Sequence, residues 1–171
     1  IPFGLYESIG GPTTFMTNLK SYFDLKQFEY CLEYNDKCSI FFPIAIDYDV
    51  LNKVQNGKGK IIQRLDGIYY HSKHGEKYKE LNRQIKEIYQ NYSDYIVFQS
   101  NYSMKQCFEM FGSKKKDEYS IVYNGVNKKL FMPDMEHEIN LDCINFVVTA
   151  NFRNKDMIEP IVLALDFIRS K

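Results

Sequence analysis

Lys60-Ile61-Ile62-Gln63-Arg64-Leu65-Asp66-Gly67 is the stretch on which the fold turns. Lys60 to Leu65 (KIIQRL) reads as a strand, and Asp66-Gly67 ends it. A long polar segment follows, from about Glu76 to Tyr92. Its apolar residues, Leu81, Ile85, Ile88 and Tyr92, keep the 3.6-residue period of a helix. Tyr95-Ile96-Val97-Phe98 is then a second short buried strand. Strand, helix and strand in this order form a βαβ unit, whose strands are parallel.

The same alternation continues outward. Upstream, Cys38 to Ile44 reads as a strand, and Asp47 is placed to cap a helix over Tyr48 to Gln55 that stops at Asn56-Gly57. Gly10-Gly11-Pro12 opens a helix to about Phe23, because Pro suits a first turn whose N–H groups have no partner. Ile1 to Leu5 reads as the tail of a first strand. Downstream, Ser100 or Ser103 caps a helix carrying Met104, Phe108 and Phe111, which Gly112 ends. Tyr119 to Tyr123 is a further strand, closed by Asn124-Gly125. The expected fold is α/β: a Rossmann-like, mostly parallel sheet with helices on both faces. It occupies residues 1–127. Residues 128–142, without clear period and with Pro133, read as a linker. In 143–171, Cys143 to Thr149 is a new strand, and Lys155 to Ile168 a helix with Pro160 near its start.

The chain has 171 residues, with 22 Lys and Arg against 22 Asp and Glu. A neutral balance without a basic stripe argues against a nucleic-acid partner. No apolar run approaches the roughly 18 residues of a membrane span, and no signal peptide is visible, so a cytoplasmic setting is expected. The chain opens at Ile1 without Met, as a trimmed or partly represented protein would. Cys31, Cys38, Cys107 and Cys143 form no C-x-x-C pair and lack zinc spacing with His71, His74 and His137. They read as small buried apolar residues in a reducing compartment, and no metal or cofactor is expected.

Ligands of parallel sheets sit beyond the carboxyl ends of the strands. That selects Gly10-Gly11, Asp66-Gly67, Gln99-Ser100, Asn124-Gly125 and Asn151 to Lys155. Two glycines before a helix expose N–H groups where the dipole adds about half a positive charge, suiting a phosphate or a sugar hydroxyl. The pair is neither G-x-G-x-x-G nor a P-loop. Asp66 either orients or deprotonates a hydroxyl, or is a turn residue paired with Arg64. Arg153 and Lys155 either clamp a diphosphate or are a solvated helix start. His71 and His74 read as surface loop residues, and Lys114-Lys115-Lys116 as a solvated loop.

Together these pieces resemble glycosyltransferase family 4, of the GT-B fold. Gly10-Gly11-Pro12-Thr13-Thr14-Phe15 with Asn18-Leu19 resembles its opening loop and first helix. Tyr92 to Ser100 (YSDYIVFQS) resembles its strand ending in Gln-Ser. Tyr119 to Pro133 (YSIVYNGVNKKLFMP) resembles the segment that closes its N-terminal domain, and Phe146 to Leu165 the start of its second domain. The resemblance implies a hexosyltransferase-type enzyme with a nucleotide-diphosphate sugar between two Rossmann-like domains. The sugar passes to an acceptor hydroxyl with retention and without a required metal. Gly10, Gly11, Arg153 and Lys155 would hold the donor. Gln99, Ser100 and Asn124 would line the acceptor side, and Asp66 stands near where many members carry a His. The acceptor would be a glycan, a lipid-linked molecule or a protein. A lipid-linked acceptor would bring peripheral membrane contact, although no basic amphipathic helix marks one.

The family's E-x7-E region falls beyond Lys171. The chain is therefore expected to be the acceptor-side part of the enzyme, to need the remainder of its second domain, and to turn over little alone. Two other readings remain: a nicotinamide- or nucleotide-binding Rossmann protein, and an interaction module that kept the fold without the chemistry.

Overall fold

The computed structural model describes residues 11–32, 34–42, 47–125 and 158–170. The chain divides into two compact units, Ile1–Val126 and Asn127–Lys171. In the first, the order is α1 (Gly11–Lys26), β1 (Ile40–Phe41), α2 (Tyr48–Asn56), β2 (Lys60–Leu65), α3 (His71–His74), α4 (Lys77–Asn91), β3 (Tyr95–Phe98), α5 (Asn101–Phe111) and β4 (Tyr119–Ile121). In the second, α6 spans Glu159–Arg169.

The four strands form one sheet in the order β1-β2-β3-β4, and every neighbouring pair is parallel. β1 is followed by α2, β2 by α3 and α4, and β3 by α5, so that a helix returns the chain before each next strand, the arrangement parallel pairing requires. This is the α/β, Rossmann-like sheet expected from residues 60–98.

Alternation along β2 sorts its side chains. Ile61, Gln63 and Leu65 are buried on one face. In register with them, Ile96 and Phe98 of β3 are wholly buried. Two clusters fill this side. Leu65, Tyr89, Ile96, Phe98, Cys107 and Phe111 join β2 and β3 to α4 and α5. Phe41, Leu51, Val54, Ile61 and Ile88 join β1 and β2 to α2 and α4. Full burial of such side chains contributes about 1.5–3 kcal/mol each before entropy is subtracted. Gln63 is the polar intruder on this face, and it is satisfied. Its amide donates to Ile85 O at 3.3 Å and accepts from Ser93 Oγ at 3.2 Å. Arg64 points to the other face, where Phe15 of α1 lies against it.

Local signals set most boundaries. Asp47 accepts from Val50 N at 3.1 Å and caps α2. Gly112, at φ +98°, ends α5 in a backbone region that favours glycine. Some expectations need correction. The strand foreseen over Cys38 to Ile44 is, among the described residues, only Ile40–Phe41. Ile40 is half-exposed because it pairs with Lys60 on the outer face of an edge strand. The Tyr119 strand ends at Ile121, where the ladder runs out after Val122 N reaches Phe98 O at 2.9 Å. His71 and His74 stand on a one-turn helix, not a loop. The helix foreseen from Lys155 begins at Glu159 among the described residues, with Pro160 in its first turn. The reading of all cysteines as buried holds for Cys107 but not for Cys31 and Cys38, which are half-buried. Residues 1–5, the linker 128–142 and the strand 143–149 lie outside the described residues.

Candidate functional site at the carboxyl ends of the strands

The backbone ladder does not stop with the strands. Gln99 N donates to Leu65 O at 3.0 Å, so the residues after β2 and β3 stay in step. With Val122 N on Phe98 O, three chain segments leave the sheet side by side. They carry Asp66, Gln99 and Asn124 to one place, and Arg64 gathers them.

The Arg64 guanidinium donates through one terminal nitrogen to Asp66 Oδ1. Through the other it donates to Gln99 Oε1 at 3.1 Å and to Asn124 Oδ1 at 2.7 Å. Its Cζ lies over the Phe15 ring, 4.2 Å from the centroid, a cation–π contact. The Arg64 side chain is 10% exposed and that of Asp66 44%. Arg64 Nε is buried and, among the described residues, has no hydrogen-bond partner. A planar fork fits this task, since a lysine ammonium has no matching geometry. Asp66 is thus ion-paired with Arg64, the turn-residue alternative raised by its spacing, while its side chain as a whole stays partly exposed.

Ser100 is occupied differently. Its hydroxyl accepts from Ser103 N at 3.0 Å, and Ser103 Oγ accepts from Ser100 N at 3.0 Å. This reciprocal capping box starts α5. Gly67 holds φ +135°, and a Cβ there would stand 3.1 Å from Gln106 Oε1. The turn after β2 therefore approaches α5 closely.

Three exposed tyrosines, Tyr70, Tyr102 and Tyr123, follow β2, β3 and β4 in turn. Tyr70 OH lies 3.5 Å from Tyr102 OH, which accepts from Gln106 Nε2 at 2.8 Å. Tyr123 OH accepts from Asn101 Nδ2 at 3.0 Å. The hydrogen bond with Tyr102, aided by burial, pushes the Tyr70 hydroxyl up to about 12. The loop bearing Tyr70 is held by Asn82, whose amide bonds both Tyr69 N and Tyr69 O at 2.8 Å. Sequence reasoning missed Phe15 and the tyrosines, and treated Arg64 only as a partner for Asp66. The available signal was a charge in the interior of a strand, which needs partners from elsewhere.

His71 pairs with Glu76 at 3.2 Å, and the His74 ring meets Tyr69 edge-on at 4.7 Å. A cleft of about 430 Å³ lies at the opposite, amino ends of β2 and β3, bordered by Lys58, Lys60, Gln90 and Asp94. Of the residues expected to hold a donor, Gly11 is the first residue of α1. Gly10, Arg153 and Lys155 lie outside the described residues. Among the described residues, no group of three His, Cys, Asp or Glu is placed to hold a metal ion, and no helix is long and apolar enough to cross a membrane. Compared with known proteins, the chain matches no protein-family model, no curated protein and no solved structure.

Proposed function

We propose that the chain is the acceptor-side part of a GT-B glycosyltransferase, acting in a cytoplasmic setting. It would move a hexose from a nucleotide-diphosphate sugar to an acceptor hydroxyl, with retention and without a required metal. The observation that carries this reading is the convergence of Asp66, Gln99 and Asn124 on Arg64, beyond the carboxyl ends of three adjacent parallel strands. Amide and carboxylate oxygens held by a buried cation suit the hydroxyls of a sugar. Exposed rings at Tyr70, Tyr102 and Tyr123 suit its apolar C–H faces. On this reading Asp66 orients the acceptor hydroxyl, Gln99 and Asn124 fix its neighbours, and Ser100 acts through the cap that shapes the rim. Donor binding is assigned to Gly10, Gly11, Arg153 and Lys155 on the family resemblance alone.

The test is transfer from a panel of labelled nucleotide-diphosphate hexoses to glycan and lipid-linked acceptors, using the longest natural form of the protein. Labelled product, lost with Asp66→Asn and with Arg153→Ala, is expected. Nicotinamide fluorescence that shifts on mixing, with no sugar transfer, would overturn it. One observation favours a second reading, a glycan-binding module without turnover: the Asp66 carboxylate is already engaged by Arg64. That reading expects saturation-transfer signals from oligosaccharides in the same panel and no product.

A further inference from the structure

We propose that Cys31 and Cys38 are a reversible disulfide site, oxidised by a low-molecular-weight disulfide. Six residues separate them, a spacing that marks no familiar redox motif. A turn brings them together. Cys38 N donates to Asn35 O at 2.9 Å, and Lys37 N donates to the Asn35 side chain at 2.9 Å. The turn is anchored next to it, where the Tyr34 ring stacks on Phe41 at 5.5 Å and 25°. Lys53 Nζ lies 5.9 Å from the same ring. Phe41 belongs to the core cluster with Leu51, Val54 and Ile61, so the loop is tied to the sheet.

Within this frame Cys38 Sγ–H donates to Cys31 Sγ at 2.7 Å. A disulfide bond is about 2.05 Å long, so the sulfurs have only about 0.7 Å further to close. Both residues are half-buried, within reach of a small oxidant. Cys107 is the contrast: it is fully buried, and burial pushes its thiol up to about 12. Cys38 is also held protonated, first by its hydrogen bond to Cys31 and then by burial. The hydrogen bond that Cys38 donates and Cys31 accepts sets the order of events. Cys31, losing its proton to solvent, attacks one sulfur of the oxidant and releases one small thiol. Cys38 then loses its proton and attacks the Cys31 sulfur of the mixed disulfide, releasing the second. Two S–H bonds are replaced by one S–S bond, and the oxidant is reduced to two thiols. The bond closes a ring between α1 and β1, and a small thiol in excess reopens it.

The full chain is equilibrated with oxidised and reduced glutathione, quenched with acid, alkylated, digested with trypsin and weighed. Cleavage after Lys37 separates the two cysteines unless a disulfide joins them. The expected product is a Cys31–Cys38 linked peptide pair, two hydrogens lighter than the dithiol, while Cys107 alkylates only after denaturation. Linkage should need about tenfold less oxidised glutathione than in the isolated peptide 29–40, because the fold holds the sulfurs together. Cys38→Ser should stop at a glutathione adduct on Cys31, and Cys107→Ser should leave linkage unchanged. Separate alkylated peptides, linkage to Cys143, or the same midpoint as the peptide would each overturn the proposal.

Discussion

The guanidinium carbon of Arg64 lies over the ring of Phe15, 4.2 Å from its centroid, where α1 meets β2. The contact closes one face of a cation whose nitrogens hold Asp66, Gln99 and Asn124. Arg64→Ala removes all four relations at once. Breaking a buried ion pair by deleting one partner costs about 3–5 kcal/mol. Asp66 is 44% exposed and recovers water, so a cost of about 2 kcal/mol is expected. Arg64→Lys should recover less than half, because one ammonium cannot span three oxygens and a ring. Urea unfolding monitored by circular dichroism measures both. A midpoint unchanged by Arg64→Ala would show the cluster to be structurally idle.

Ser100 was expected to line an acceptor site, yet its hydroxyl is committed to the first turn of α5. Ser100→Ala should cost about 1 kcal/mol, the usual loss for an N-cap. Ser100→Asp should restore most of it, because a carboxylate also accepts from Ser103 N and favours the helix dipole. Thermal unfolding of the two variants tests this. Equal losses in both would mean that the serine hydroxyl is needed for something other than capping.

The parts that were legible in the sequence are those set by local rules. The bounds of KIIQRL and YIVF, the Asp47 cap and the stop at Gly112 each follow from residues within one turn of the boundary. The Arg64 cluster is different in kind. Its partners lie 35 and 60 residues away in the chain, and only strand order and register bring them together. Phe15 depends in addition on how α1 crosses the sheet. Tyr70, Tyr102 and Tyr123 are separated in the same way, so no spacing rule gathers them. Cys31 and Cys38 meet through a turn at Asn35, which a search for C-x-x-C does not find. The proposed donor residues Gly10, Arg153 and Lys155 fall outside the described structure, so their reading still rests on the resemblance.

Three glycines should respond differently to alanine. At Gly59 a Cβ would stand 2.9 Å from both Phe41 Cε2 and Val54 Cγ1. Both neighbours belong to the core, so Gly59→Ala should cost about 1–3 kcal/mol through overpacking. Gly67 holds φ +135° beside Gln106, and Gly67→Ala should cost about 1–3 kcal/mol through backbone strain. At Gly125 a Cβ meets nothing within 4 Å among the described residues, so the change there should stay within about 0.5 kcal/mol. Chemical denaturation ranks the three. Gly125→Ala as damaging as Gly59→Ala would contradict the packing described for β1 and α2.

At the amino end of the sheet, Asp94 bonds Lys60 Nζ at 2.7 Å and the backbone N–H of Ile61 at 2.9 Å. Burial raises the carboxyl, but the Lys60 ammonium and the Ile61 N–H outweigh it and hold Asp94 below its ordinary 3.8. A carboxyl that is more acidic in the folded state stabilises the fold above its unfolded value. That contribution is lost as pH falls through the lower folded value. Wild type should therefore exceed Asp94→Asn in stability at pH 7, and the gap should narrow below about pH 4. Lys60 is well exposed, so the gap is held to about 1 kcal/mol. High salt should remove the Lys60 share and leave that of Ile61 N–H, which is partly buried. Urea midpoints for both proteins between pH 3 and pH 7 provide the measurement, and a gap that widens on acidification would reverse the assigned sign.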